Sequence, residues 1–265
     1  MSIYESTDIA KSAQPRDQYS LKKILAIWFF SSLPMGVLAF VIPPFLADAA
    51  DLPLLIGYWL AIVVGLVWQF ILSIIVLKMD GVSFKWSSVL RRANYQTPVN
   101  PKTGKPNGWL FLWLIPFILV SLVIQVGDVL PNVDIFLHPY IKDLPQYDLS
   151  KLATADYQGA WWVLGLFLVT LVFNYFIGEE FLYRGILLPK MNGVFGKWDW
   201  FANGVLFGFY HLHKPQIILS TALWFGFVFA FPSKYFQSGW MGLIIHGLEG
   251  LMGLAMVSAI VFGIG

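Results

Sequence analysis

The chain has 265 residues, 58% of them hydrophobic and 12% charged, with a formal net charge of +2. A soluble domain carries about 25% charged residues, so this composition excludes an ordinary soluble fold and points to a chain built from lipid-embedded segments. Cysteine is absent, which excludes disulfides, thiolate zinc sites and a cysteine nucleophile, and the Lys and Arg residues form no stripe suited to nucleic acid.

Residues 1–20 read as a flexible cytoplasmic tail, and the first apolar run follows Lys22-Lys23. That run is too long for a signal peptide and is expected to be a retained helix. Seven spans are expected: Ile24–Ala47, Leu54–Leu77, Trp109–Leu130, Trp161 to about Leu188, Trp200–His213, Ile217–Phe231 and Trp240–Phe262. An eighth would follow if the long fourth run were two helices. The fifth and sixth are short and separated only by Lys214-Pro215-Gln216, so they are either steep helices joined by a tight turn or one broken element. The expected fold class is all-α and polytopic, with seven to eight transmembrane helices. Residues 21–157 supply the N-terminal helices and two long loops, and residues 158–265 supply a helical core within the same membrane domain. Many of the 12 Trp and 23 Phe lie near the ends of the runs, as in the aromatic belts of the lipid–water boundary.

With the N-terminus in the cytoplasm, only Lys142, Lys151 and Lys214 of the basic residues fall on the far side, so the layout obeys the positive-inside rule. The loop Asp80–Gly108 is basic and punctuated by Pro98, Pro101, Gly104 and Pro106. Its Lys102-Thr103-Gly104-Lys105 is similar to part of a phosphate loop, but the upstream glycine is missing and Pro106 stands where Ser or Thr is needed. The loop Pro131–Tyr157 is acidic and expected outside. Internal repeats, the mark of many transporters, are absent.

Three stretches place polar groups where lipid penalises them. In Gly178-Glu179-Glu180-Phe181-Leu182-Tyr183-Arg184 two adjacent acids interrupt an apolar run. One carboxylate near the bilayer centre costs about 2.5–3.5 kcal/mol on insertion scales, and two neighbours disfavour each other's ionisation. Arg184 lies one helical turn after Glu180 and can pair with it, which alone would make a packing ion pair. Glu179, about 100° around the helix, is expected to face a cavity. In Phe207-Gly208-Phe209-Tyr210-His211-Leu212-His213, His211 near the end of a run is a candidate base or ligand. His213 reads as an interfacial histidine at a helix end. Gly204 and Gly208 make a small-xxx-small face for close helix approach. In His246-Gly247-Leu248-Glu249-Gly250, His246 and Glu249 are three apart, which allows an intrahelical hydrogen bond. His138 receives no role.

At these residues the chain resembles the membrane-embedded CAAX prenyl endopeptidase and bacteriocin-processing (Abi) family. The family is marked by Glu-Glu-x-x-x-Arg, Phe-x-x-x-His and His-x-x-x-Asn or Asp. Here the first motif is Glu179-Glu180-x-x-x-Arg184, the second Phe207-x-x-x-His211, and the third begins at His246. The resemblance spans about Trp161 to Leu254. It departs at one position: Gly250 stands where Asn or Asp is expected, and loss of one oxyanion donor typically costs about 100- to 1,000-fold in rate.

The resemblance implies an intramembrane endopeptidase in which Glu179, helped by His211, activates a water. Glu180 and Arg184 organise the site and balance charge, and His246 steadies the oxyanion. It implies no cofactor, since the best-described members are read as glutamate-dependent. A zinc version would take Glu179, His211 and His246 as ligands, but the helical His-Glu-x-x-His of zinc proteases is missing. The expected partners are the bilayer and a peptide or protein substrate, lipid-modified or not, and no nucleic acid; the expected location is a multi-pass cell membrane, bacterial before endoplasmic reticulum. The alternative is a non-catalytic membrane partner, such as an immunity or sensor-binding protein, and Gly250 favours it. A channel or transporter ranks last.

Overall fold

The computed structural model describes residues 18–127, 136–142, 144 and 147–264. Most of the expected tail, the end of the third expected span and much of the acidic loop therefore lie outside the described residues. Those described are helical, with a single isolated β-bridge between Val99 and Pro106.

Helix α1, Leu21–Phe40, starts at Ser20, whose hydroxyl accepts from the Lys23 amide. It ends where the sequence presents Pro43-Pro44: two prolines offer no N–H to the carbonyls four residues back, so the chain breaks at Val41 and restarts as α2, Ile42–Ala50. The expected first span is thus two helices. Helix α3, Leu54–Met79, is 26 residues long, enough for about 39 Å at 1.5 Å per residue and so ample for the hydrocarbon core. Helix α4, Trp86–Arg92, is short. Residues Gly108–Trp113 wind as a 3₁₀ turn into α5, Leu114–Gly127.

Helix α6 runs without interruption over Trp161–Lys190, 30 residues, so the fourth run is one helix and not two. Helix α7 covers Asp199–Tyr210 and is too short to cross. Helices α8, Ile218–Phe225, and α9, Gly226–Tyr235, belong to a bent pair with a 47° break. Helix α10 is Gly239–Phe262. Among the described residues four helices, α1, α3, α6 and α10, are long and apolar enough to span, or five if the bent pair is one span. The fifth expected span does not reach that length, the end of the third lies outside the described residues, and the count of seven to eight is not reproduced among those described. What does hold is an all-helical membrane protein.

Two features position the site. Gly204 and Gly208 on α7 lie directly on the backbone of Gly226 and Ala222, so closely that a Cβ at either glycine would overlap the neighbouring chain. The small-residue face therefore does what its spacing implies and clamps α7 to α8 and α9. At the Lys-rich end of the bundle, Asp80 gathers Lys23 at 2.6 Å, Arg92 at 2.6 Å and the Tyr19 hydroxyl. Arg92 also reaches the Ile186 carbonyl at 3.4 Å, tying α4 and the start of α1 to the end of α6. Burial works against the charge on Asp80, yet hydrogen bonds from Lys23, Tyr19 and Arg92 and the Arg92 charge hold its carboxyl below the usual carboxylate range. Burial likewise raises the Tyr19 phenol well above its ordinary value.

Candidate functional site

Helix α6 is not a regular α-helix at its polar centre. Val172–Gly178 and Phe181–Leu187 are π-helical, and Glu179-Glu180 form the junction between them. Such wide turns recur at functional sites because they re-aim side chains that an α-helix would stack. Both acids are withdrawn from solvent and lipid, Glu179 at 2% and Glu180 at 0% exposure.

Glu180 pairs with Arg184 at 3.1 Å, one turn on, and both side chains are fully buried. The guanidinium lies 4.0 Å from the Phe207 ring centroid and 5.4 Å from that of Phe229, a cation held between two π-faces. His246 from α10 brings Nδ1 to 3.1 Å from the same Glu180 oxygen. The carboxylate therefore joins α6 to α10 through an Arg and a His. Glu249 accepts from the Ser121 hydroxyl of α5 at 2.8 Å, because the roughly 60° offset between positions three apart turns it away from α6.

Glu179, expected to face a cavity, has hydrogen-bond partners of its own. The Tyr210 hydroxyl donates to it at 2.9 Å. The Asn174 amide, oriented to donate, lies 2.8 Å from Oε1 and 3.3 Å from Oε2. His211, in the 3₁₀ turn that ends α7, has Nδ1 2.8 Å from the Phe207 carbonyl. A carbonyl can only accept, so Nδ1 carries the proton and the neutral ring has its lone pair on Nε2. His213, expected in the interface, is instead buried and stacked on His211 with ring centroids 5.2 Å apart.

Phe207 is the hub of the arrangement. Its ring meets His211 edge-on at 4.8 Å, His246 at 6.1 Å and Tyr183 at 4.8 Å, besides carrying Arg184. Of the five residues singled out from sequence, Arg184, His211 and His246 meet this one aromatic side chain; Glu180 is joined to it through Arg184 and His246, and Glu179 through Tyr210, whose ring stacks on Phe207 at 5.6 Å. Missing from the sequence reading were Tyr210, Asn174 and Tyr175. The only sequence signal for Asn174 was a lone amide in an apolar run five residues before Glu179.

Residues 160–252 match the family model of Rce1-like type II CAAX prenyl endopeptidases. This part of the helical core is similar to that family. The matched segment contains α6 to the middle of α10, and so all five residues singled out from sequence. No curated protein and no solved structure matches the chain. The Rce1-like match supports a membrane endopeptidase of the CAAX protease kind. Among the described residues, no three His, Asp or Glu side chains gather at metal-holding spacing. His246 turns Nδ1 to Glu180 and His211 turns Nδ1 to the Phe207 carbonyl. Gly250, where Asn or Asp was expected, is filled by a neighbour: a Cβ built there would sit 2.6 Å from Cε2 of Tyr175.

Proposed function

We propose that the protein is an endopeptidase that hydrolyses a peptide bond at the membrane with a water activated by Glu179 and His211. The observation that carries this reading is that the buried carboxylate of Glu179 on α6 is held by Tyr210, the residue immediately before His211. Tyr210 holds Glu179 from the same turn that carries His211. Glu179 takes a proton from the water as its oxygen bonds to the substrate carbonyl carbon. His211, with its lone pair on Nε2, shares that proton and delivers it to the departing amine as the C–N bond breaks. Glu180 receives Nδ1–H of His246. In its imidazolium form His246 then presents Nε2–H towards the oxyanion that develops on the carbonyl oxygen. Arg184 balances the charge of the acid pair, and burial among aromatic rings strengthens each of these interactions. The substrate fitting this chemistry is a peptide segment lying against the bilayer, with a prenylated C-terminal tail the first choice and a leader or signalling peptide next.

The test uses purified protein in lipid nanodiscs with a farnesylated peptide ending in Cys-aliphatic-aliphatic-X. Cleavage read by mass spectrometry is expected for the wild type and absent in E179Q and H211A, with both variants inserted and folded. Unchanged cleavage in either variant removes the mechanism. A chelator is expected to leave turnover unchanged, and its abolition of turnover would restore a metal to the chemistry. Gly250 favours a second reading, a non-catalytic binding partner. On that reading, E179Q and H211A would keep full cellular function.

A further inference from the structure

The departure at Gly250 has a physical counterpart on the facing helix. His246 and Gly250 are one turn apart on α10 and present the same face to the π-helical segment Val172–Gly178 of α6. From that segment Tyr175 lays its ring on Gly250. A Cβ at 250 would lie 2.6 Å from Cε2 and 2.7 Å from Cδ2, distances that real side chains essentially never show, and 3.1 Å from Cζ. The same ring meets the His246 imidazole edge-on, with centroids 4.6 Å apart and planes at 76°. Phe229 covers the imidazole from another direction, stacked at 4.8 Å and 26°.

The hydrogen bond from Nδ1 to Glu180 locates one corner of the ring, and the outer torsion of histidine is intrinsically broad. Two aromatic neighbours at a steep angle to each other remove that freedom. We propose that Tyr175 is a positioning residue for His246, its ring filling the volume that a side chain at position 250 would take and fixing the imidazole's plane. On this view glycine at 250 is there to admit Tyr175, and the ring takes over the steadying task of a side chain at that position. The role rests on the endopeptidase reading above, since it acts through His246. It assigns the work to the ring and not to the phenol.

The experiment measures kcat and KM on the farnesylated peptide in nanodiscs for Y175A, Y175F, G250A and the double variant Y175A/G250N, with E179Q alongside. Misplacement of a reacting group by about 1 Å lowers rates on the order of 100-fold, so Y175A is expected to lose roughly 10- to 100-fold in kcat with KM little changed. Y175F, which keeps the ring, is expected to stay near the wild type. G250A pushes the ring off its seat and is expected to lose kcat as Y175A does. The double variant, in which an amide can enter the vacated space, is expected to recover part of the Y175A loss. Wild-type kcat in Y175A or in G250A would overturn the proposal, and so would an equal loss in Y175F and Y175A. Should Y175A not fold, Y175F and G250A still decide the matter. Full turnover by E179Q, or an inert wild type, would instead strike the endopeptidase reading and take the role of Tyr175 with it.

Discussion

Replacing Arg184 by Met tests how the acid pair is tolerated inside the bundle. Arg184 and Glu180 are both fully buried and 3.1 Å apart, and His246 is the other charged-capable group on the same carboxylate oxygen. Removing one member of a buried ion pair typically costs about 3–5 kcal/mol, because the remaining charge stays buried. The guanidinium 4.0 Å from Phe207 adds about 1–2 kcal/mol of cation–π attraction that Met cannot make. His246 still faces Glu180 and Met refills part of the volume, so a net loss near the lower end, about 3 kcal/mol, is expected for R184M. For a chain of this size that corresponds to a fall of roughly 6–12 °C in melting temperature. The assay is thermal unfolding of detergent-solubilised protein, followed by loss of the monodisperse species. E180Q/R184M is the control. With both charges gone, and a Gln carbonyl still able to accept from His246, most of the loss should return. A melting temperature within about 2 °C of wild type for R184M, or a double variant less stable than the single, would refute the reasoning.

Y210F removes the hydroxyl that donates to Glu179 at 2.9 Å and leaves Asn174 alone on that carboxylate. Turnover of the farnesylated peptide should fall roughly 10-fold, since a hydrogen bond to a charged group contributes about 1.5–3 kcal/mol and not all of it is lost; unchanged turnover would show that the contact has no bearing on the reaction. D80N should lower stability by roughly 2 kcal/mol at neutral pH. The folded Asp80 carboxyl titrates below its unfolded value, so its contribution is complete above about pH 4 and fades as pH falls through the folded value. Melting curves of wild type and D80N should therefore stay separated between about pH 5 and 8 and converge under more acidic conditions; a gap that widens on acidification would contradict the sign. G208L drives a side chain into the backbone of Ala222 and should destabilise by at least about 1–3 kcal/mol. Melting like that of wild type would mean that α7 and α8 are not clamped there.

Long apolar runs declared α3, α6 and α10 to within about two residues at either end, because a single strong requirement, burial of backbone polar groups in lipid, sets their length. The Glu180–Arg184 pair and the Gly204/Gly208 face were readable for a similar reason: both follow from helical periodicity alone. Other elements depend on what packs beside them. Apolar content made 200–213 look like a span, yet α7 stops at Tyr210, where the chain turns through His211–His213 and buries both imidazoles. The π-helical windings around Glu179-Glu180 leave no period in the sequence, so the meeting of Glu179 with Tyr210, 31 positions away, could not be inferred. Nor could the ring that fills Gly250. A missing side chain at one position reads as a defect until the neighbour occupying its space is seen.

The most direct measurement is isotope incorporation. Wild-type protein in nanodiscs is incubated with the farnesylated peptide in oxygen-18 water, and the new C-terminal carboxyl is read by mass spectrometry. Hydrolysis by a water activated at Glu179 should place solvent oxygen in that carboxyl for the wild type and yield no product from E179Q. Labelled product from E179Q at the wild-type rate, or none from either, would contradict it.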